Sequence, residues 1–395
     1  MQDASPLRTT PPLTTRRARN LVTMRKILST VCFTFIAYFD IGLPLAVLPP
    51  YVHDRLGFGA VMAGFAVSAA YISTLLSRAL AGRMADLIGP KRAVLIGLLA
   101  DAASGLLLAA APLVPGAWSG IAVILLSRLC LGIGESWVST SSIAWAIRQV
   151  GPRNTARVIS WNGIATYGAI AAGAPIGVML ETRFGFWSVG GLVALASLLA
   201  FPLVLLKRAS PPAGGHRLPL RTVARQIMPF GWGLSLGGIG FGTIAAFITL
   251  FYASRHWSGA SQALTLFSCG FVGTRLIFGN AIDRFGGYRA AIASFTVEVA
   301  GLILLAAAPG PWTALLGATL SGFGFSLVYP ALAVEAVRGI PANSRGTALG
   351  FAGPVMGLIV AQAGYRAAFA TAALAALAGS ALTSALLVRR EGRLR

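Results

Sequence analysis

Acidic residues are scarce in this chain: 11 Asp and Glu stand against 32 Lys and Arg in 395 residues. Charged residues of either sign make up only 11% of the sequence and hydrophobic ones 56%, which excludes an ordinary water-facing surface. Lysine is confined to Lys26, Lys91 and Lys207. Cys32, Cys130 and Cys269 all sit inside apolar runs without C-x-x-C spacing, so neither a disulfide framework nor a metal site is expected. His53, His216 and His256 lie at the margins of apolar runs and form no metal-ligand cluster. No nucleophile–base pair and no nucleotide-binding loop appears, which argues against an enzyme and against a cofactor. The net charge of +21 invites a nucleic-acid reading, but the placement of the cations argues otherwise.

What the chain has is long apolar runs. Twelve segments are long enough, or nearly so, to cross a hydrocarbon core of roughly 30 Å. They cover about 26–50, 59–81, 93–112, 118–147, 157–180, 187–206, 228–252, 260–280, 290–308, 313–336, 346–363 and 367–388. Residues 1–24 are polar and rich in Pro, Thr and Arg, and read as a disordered tail; Met24, just before Arg25-Lys26, is a second candidate start. The longest polar gap, 207–227, carries Pro211-Pro212 and Gly214-Gly215 and reads as a linker between two halves, 25–206 and 228–388, with a short tail at 389–395. Only Arg55, Arg183, Arg255 and Arg366 fall in the odd-numbered gaps, and only Arg128 and Arg275 within segments. The remaining cations line the tails, the even-numbered gaps and the adjoining segment ends, which places both termini and the linker in the cytoplasm.

The second gap carries a patterned hairpin, Gly82-Arg83-Met84-Ala85-Asp86-Leu87-Ile88-Gly89-Pro90-Lys91-Arg92. It recurs as Gly279-Asn280-Ala281-Ile282-Asp283-Arg284-Phe285-Gly286-Gly287-Tyr288-Arg289. Both read G-x-x-x-D-x-x-G followed by a cation, and Asp86 and Asp283 are 197 residues apart, about half the chain. A motif repeated at half-length points to a duplicated unit. Two six-segment repeats with this hairpin after the second segment of each resemble the major facilitator superfamily. Arg128-Leu129-Cys130-Leu131-Gly132-Ile133-Gly134-Glu135 resembles that family's R-x-x-x-G-x-G pattern, and Gly168 to Gly177, with Pro175, the G-x-x-x-x-G-x-P-x-G pattern of its proton-driven exporters. The strings Ser160 to Tyr167 and Gly42 to Pro49 are similar to the bacterial YhhS/YfcJ-type subgroup, described as arabinose-efflux-like or drug-efflux-like.

The resemblance implies an all-α membrane protein with two pseudo-symmetric six-helix bundles around a central cavity that opens alternately to either side. It also implies a gating latch in each half, formed by Gly82, Asp86, Gly89 and Arg92 and by Gly279, Asp283, Gly286 and Arg289. Read on their own terms, the same hairpins are topological stop signals. Inside the segments, Asp40, Asp101, Glu135 and Glu298 are costly, because a carboxyl in low dielectric disfavours its charged form and tends to hold a proton. Arg128 and Glu135 are seven residues apart on one helix and share a face. They form either a structural ion pair or a proton site with a tuning cation. Since helices 1 and 4 line the cavity in the family, Asp40, Arg128 and Glu135 are the proton-coupling candidates. Asp101 and Glu298 read as structural, and Arg275 as part of the second latch.

Trp137, Trp161, Asn162, Tyr167, Trp232, Phe325 and Tyr329 are the substrate-cavity candidates, offering stacking faces and a few hydrogen bonds. Trp118, Trp187, Trp257 and Trp312 sit at outer segment ends and read as an interfacial belt. Gly163, Gly168, Gly173 and Gly177 recur along the fifth segment and permit close helix packing. The eleventh segment breaks the repeat: Pro354 follows Arg345 by 9 residues, where Pro175 follows Arg157 by 18, so this helix is expected to be unusually short. The sequence therefore points to a bacterial inner-membrane secondary transporter, expected to act as a monomer, that exports a small organic compound in exchange for protons. Proton-coupled uptake of a sugar or organic acid, and a non-transporting ligand-binding protein, remain alternatives, the second because of the short segment.

Overall fold

The computed structural model describes residues 13–210, 220–337 and 364–392. Its long helices are α1 (Leu13–Leu45), α2 (Ala60–Leu87), α3 (Pro90–Ala110), α4 (Ala117–Val150), α5 (Thr155–Phe184) and α6 (Phe186–Leu206). They continue with α7 (Leu220–Ser254), α8 (Ala260–Ile277), α9 (Gly287–Ala306), α10 (Pro311–Phe325), α11 (Val328–Val337) and α12 (Gly364–Gly392). No strand occurs among the described residues. Ten spans are long and apolar enough to cross a membrane, and they match the expected segments except the eighth and eleventh. The eighth corresponds to α8, an 18-residue helix outside those ten. The eleventh, with its expected shortening, lies outside the described residues.

Two boundaries differ from expectation. α1 reaches back to Leu13, well ahead of residue 24, and α7 begins at Leu220, inside the expected linker. In both places the polar sequence is continuous with an apolar helix, and helix propagation adds a hydrogen bond per residue at little further cost.

The turns are set by glycine and proline. Gly89 adopts φ of +90° immediately before Pro90, the first residue of α3, and Gly286 adopts +83° before α9. The two hairpins thus use one backbone solution. Lys91, next in the first hairpin, donates from Nζ to the carbonyl oxygens of Leu205 and Lys207 at 2.7 and 2.8 Å, and so occupies the C-terminal acceptors of α6.

Packing repeats between the halves. α2 packs on α4, and α3 on α4 and α6; correspondingly α8 packs on α10, and α9 on α10 and α12. The contacts run through small residues, as expected where lipid provides little hydrophobic drive between helices. Gly105 and Gly190 bring α3 against α6, and Gly301 and Gly317 bring α9 against α10. On α5, a Cβ at Gly177 would overlap the Leu43 carbonyl of α1, and Gly173 lies against Gly42. The halves meet chiefly where α5 packs on α8, with α2 against α7 and α5 against α11. Large apolar side chains such as Leu76, Leu106, Leu199 and Leu374 point outward, as lipid contact requires. Trp118, Trp187 and Trp312 are exposed near helix N-termini, while Trp257 packs edge-on against Phe251 and Tyr252.

Gly177→Ala is expected to destabilise the protein by about 1–3 kcal/mol, since the added methyl meets backbone that cannot give way. Gly168→Ala, whose methyl would have no neighbour within 4 Å, should be neutral or stabilising. Thermal unfolding of both variants in detergent micelles checks the contrast.

Candidate functional site

A cavity of about 110 Å3 lies between the halves, walled by α1, α2, α4 and α5 on one side and by α7, α8, α10 and α11 on the other. Seven aromatic residues line it: Tyr38, Tyr71, Tyr167, Phe241, Phe271, Phe325 and Tyr329. Tyr167 stacks on Phe271 with centroids 3.5 Å apart and meets Phe241 and Phe325 edge-on. Among the described residues, the charged ones on the wall are Arg78, Glu135 and Arg275.

Glu135, buried on α4, is held from α2. Arg78 donates to its Oε1 at 2.7 Å and Thr74 Oγ1 to its Oε2 at 3.1 Å. The expected pairing of Glu135 with Arg128 is therefore not what the fold makes. Arg128 is buried at 1% exposure off the cavity wall, and its Nε and Nη1 have no hydrogen-bond partner among the described residues. Asp40 also lies off the cavity wall; Ser197 of α6 donates to it at 2.6 Å. Asp101 packs against Gly134, and neither of its carboxyl oxygens has a partner among the described residues.

Arg275 departs from its expected place in the second latch. Its guanidinium donates to the Ile159 and Ser160 carbonyls of α5 at 3.1 and 3.3 Å, and to the Ser326 carbonyl at 2.8 Å. The last bond has a local cause. Pro330 lies four residues after Ser326 and has no N–H, so helix geometry leaves that carbonyl without its usual donor. Gly163 leaves room for the arrangement, since a Cβ there would overlap the guanidinium.

Of the seven aromatic and polar candidates, Asn162, Tyr167, Phe325 and Tyr329 line the cavity. Asn162 accepts a hydrogen bond from Thr34 at 2.8 Å. Trp137 instead packs among Ala81, Ala85, Ala93 and Ala144 beneath the first hairpin. Trp161 lines a separate cleft of about 450 Å3 on the hairpin side, and Trp232 is 54% exposed on the outer face.

In the first hairpin Asp86 is buried in the last turn of α2 and accepts from Arg148 of α4 at 2.8 Å, which ties two helix ends of one half together. Gly82 is buried and Arg92 exposed. In the second hairpin Gly279 precedes a one-turn helix, Ala281–Phe285, that contains Asp283, and Arg289 makes a long exposed contact of 3.7 Å with Glu391.

A family model described as "Major Facilitator Superfamily" matches residues 30–356. The chain belongs to this superfamily. It is 50% identical over 385 residues to an uncharacterized MFS-type transporter of Burkholderia pseudomallei (strain 1106a), covering 94% of each chain. It is likewise 50% identical over 393 residues to one of Pseudomonas aeruginosa (strain UCBPP-PA14), covering 96% of this chain and 97% of the relative. Among solved structures it resembles the human organic anion transporter MFSD10 (TETRAN) with a TM-score of 0.66 at 19% identity, covering 91% and 99% of the two chains. It also resembles the xylose transporter XylE from E. coli in a partially occluded inward-open conformation, with a TM-score of 0.71 at 14% identity, covering 90% and 96%. The protein is thus a multi-pass transporter and not an enzyme.

For this superfamily member, sequence reasoning missed Arg78 as the partner of Glu135 and Arg275 as a cavity residue. One signal was present: Arg78 and Arg275 are separated by 197 residues, the same interval as the hairpin aspartates. Arg78→Met should destabilise the protein by about 3–5 kcal/mol, because it strands a buried carboxylate, and adding Glu135→Leu should recover most of the loss. Arg128→Met should show no such recovery with Glu135→Leu. Thermal unfolding of the single and double variants measures both couplings.

Proposed function

We propose that this protein is a secondary active transporter of the bacterial inner membrane, with cytoplasmic termini, that exports a small organic compound in exchange for protons. The observation that carries the reading is the cavity between the halves, with Glu135 as the carboxyl on its wall. Glu135 is the proton carrier in this scheme. Arg78 holds it when ionised, and protonation weakens that hold and changes how α2 and α4 meet. Asp40 and Arg128, buried behind the cavity within the same half, support the proton step without touching cargo. Asn162, Tyr167, Phe325 and Tyr329 contact the compound. The paired hairpins, with Asp86 tied to Arg148, act as latches on the cytoplasmic ends. Export is favoured by the glycine–proline pattern of α5.

Uptake of an organic acid together with protons is a second reading, favoured by one contact. An anion approaching Arg78 and a proton reaching Glu135 would each loosen the pair that the other must enter.

In everted membrane vesicles with an imposed interior-acid gradient, a transported compound is expected to collapse that gradient, and Glu135→Gln to abolish the response. Entry of compound with protons into intact cells would select uptake instead. If Glu135→Gln and Asp40→Asn both kept coupled transport, the proton assignment would be overturned.

A further inference from the structure

The two halves place an arginine at the same repeat position but treat it differently. Arg78 and Arg275 are 197 residues apart, in step with Asp86 and Asp283. The helices that follow also align: Gly132-Ile133-Gly134-Glu135-Ser136-Trp137-Val138 on α4 matches Gly322-Phe323-Gly324-Phe325-Ser326-Leu327-Val328 across α10 and α11, 190 residues on. In this register Phe325 stands where Glu135 stands in the first half. Arg78 therefore meets a carboxylate, whereas Arg275 has no carboxyl at the matching position and lies over the ring of Phe271, 4.7 Å from its centroid.

Backbone carbonyls accept three hydrogen bonds from Arg275, but neutral dipoles do not cancel its charge. Arg275 is 3% exposed, and no carboxylate among the described residues pairs with it. Glu298 lies behind the wall against Gly237, Gly240 and Gly324 and does not line the cavity. With Glu135 ionised, the described residues of the wall carry Arg78, Arg275 and one carboxylate, a net charge of +1. The Nε of Arg78 and the Nε of Arg275 are both buried without a partner among the described residues. Arg78, Arg275 and Tyr329 all line this one cavity. An unpaired buried charge is costly, and a bound anion would offset it.

We infer that the cargo is an organic anion, with its charged group held by Arg275 and Arg78 and its apolar body against Tyr167, Phe241 and Phe271. A monoanion brings the wall to neutrality while Glu135 keeps its bond to Arg78, so the inference holds for either direction of transport. It rests on the transport reading only in taking the cavity as the cargo site.

The test uses the purified full-length protein and three matched sets of probes: benzoate, 2-naphthoate and cyclohexanecarboxylate, each with its amide and its aminomethyl analogue. The carboxylates are expected to raise the unfolding temperature and to bind at least ten-fold more tightly than the amides and amines of the same ring. Arg275→Gln should remove that preference. Phe325→Glu, which gives the second half the carboxylate found in the first, should weaken carboxylate binding ten-fold or more while the protein stays folded. Because Arg275→Gln also loses backbone contacts, Phe325→Glu is the decisive variant. Binding of the amines or amides in place of the acids overturns the anion and leaves the transport reading intact. A cooperatively folded protein that binds none of the carboxylates overturns it as well. Carboxylate binding with no compound-dependent signal in vesicles keeps the anion site and overturns transport.

Discussion

A charge inside a bilayer has no water to turn to, so each must be matched within the protein or left exposed to a large desolvation penalty. That constraint organises this molecule. Around the first hairpin, cations are absorbed at helix ends, as with Lys91 on the α6 carbonyls and Arg148 on Asp86. At membrane depth the matching is made between helices, and Arg78 with Glu135 is its clearest case. These pairings require helices that approach closely, and the glycines at 105, 132, 173, 177, 190, 301 and 317 supply that approach. Polar matching and glycine packing are therefore one arrangement viewed from two sides.

The halves are copies, but their differences carry the chemistry. Asp101 and Glu298 occupy equivalent positions, 197 residues apart, and each lies against a glycine of the following helix with carboxyl oxygens unpartnered among the described residues. That pair keeps the symmetry. Glu135 and Phe325 break it, and both line the cavity. The asymmetry leaves a carboxyl on one side and an aromatic ring on the other.

Much of the fold was legible in the sequence because hydropathy alone determines which segments can span. The eighth segment is expected to span like the others, yet α8, 18 residues long with Arg275 near its end, falls outside the ten spans long and apolar enough to cross a membrane. The hairpins were legible because each turns on a glycine with positive φ, which in the first is followed by a proline. The site was legible only in part. Glu135, Tyr167 and Tyr329 could be named from residue type and helix number, but Trp232 could not be distinguished from them, since type does not say which face a residue occupies. The Arg128–Glu135 pairing failed for a related reason. Spacing along one helix says two residues share a face, whereas the actual partner came from a neighbouring helix whose rotation no local pattern specifies.

The grip of Arg275 on α5 has a consequence for how this protein can change over generations. Its acceptors are the main-chain oxygens of Ile159 and Ser160, not their side chains. Substitutions at those two positions leave the acceptors in place, so the crossing contact does not depend on their side chains, and Ile159 is constrained by its core packing instead. Gly163 is the exception, because any side chain would occupy the volume of the guanidinium. The side-chain requirements of this contact thus fall on two residues, one arginine and one glycine.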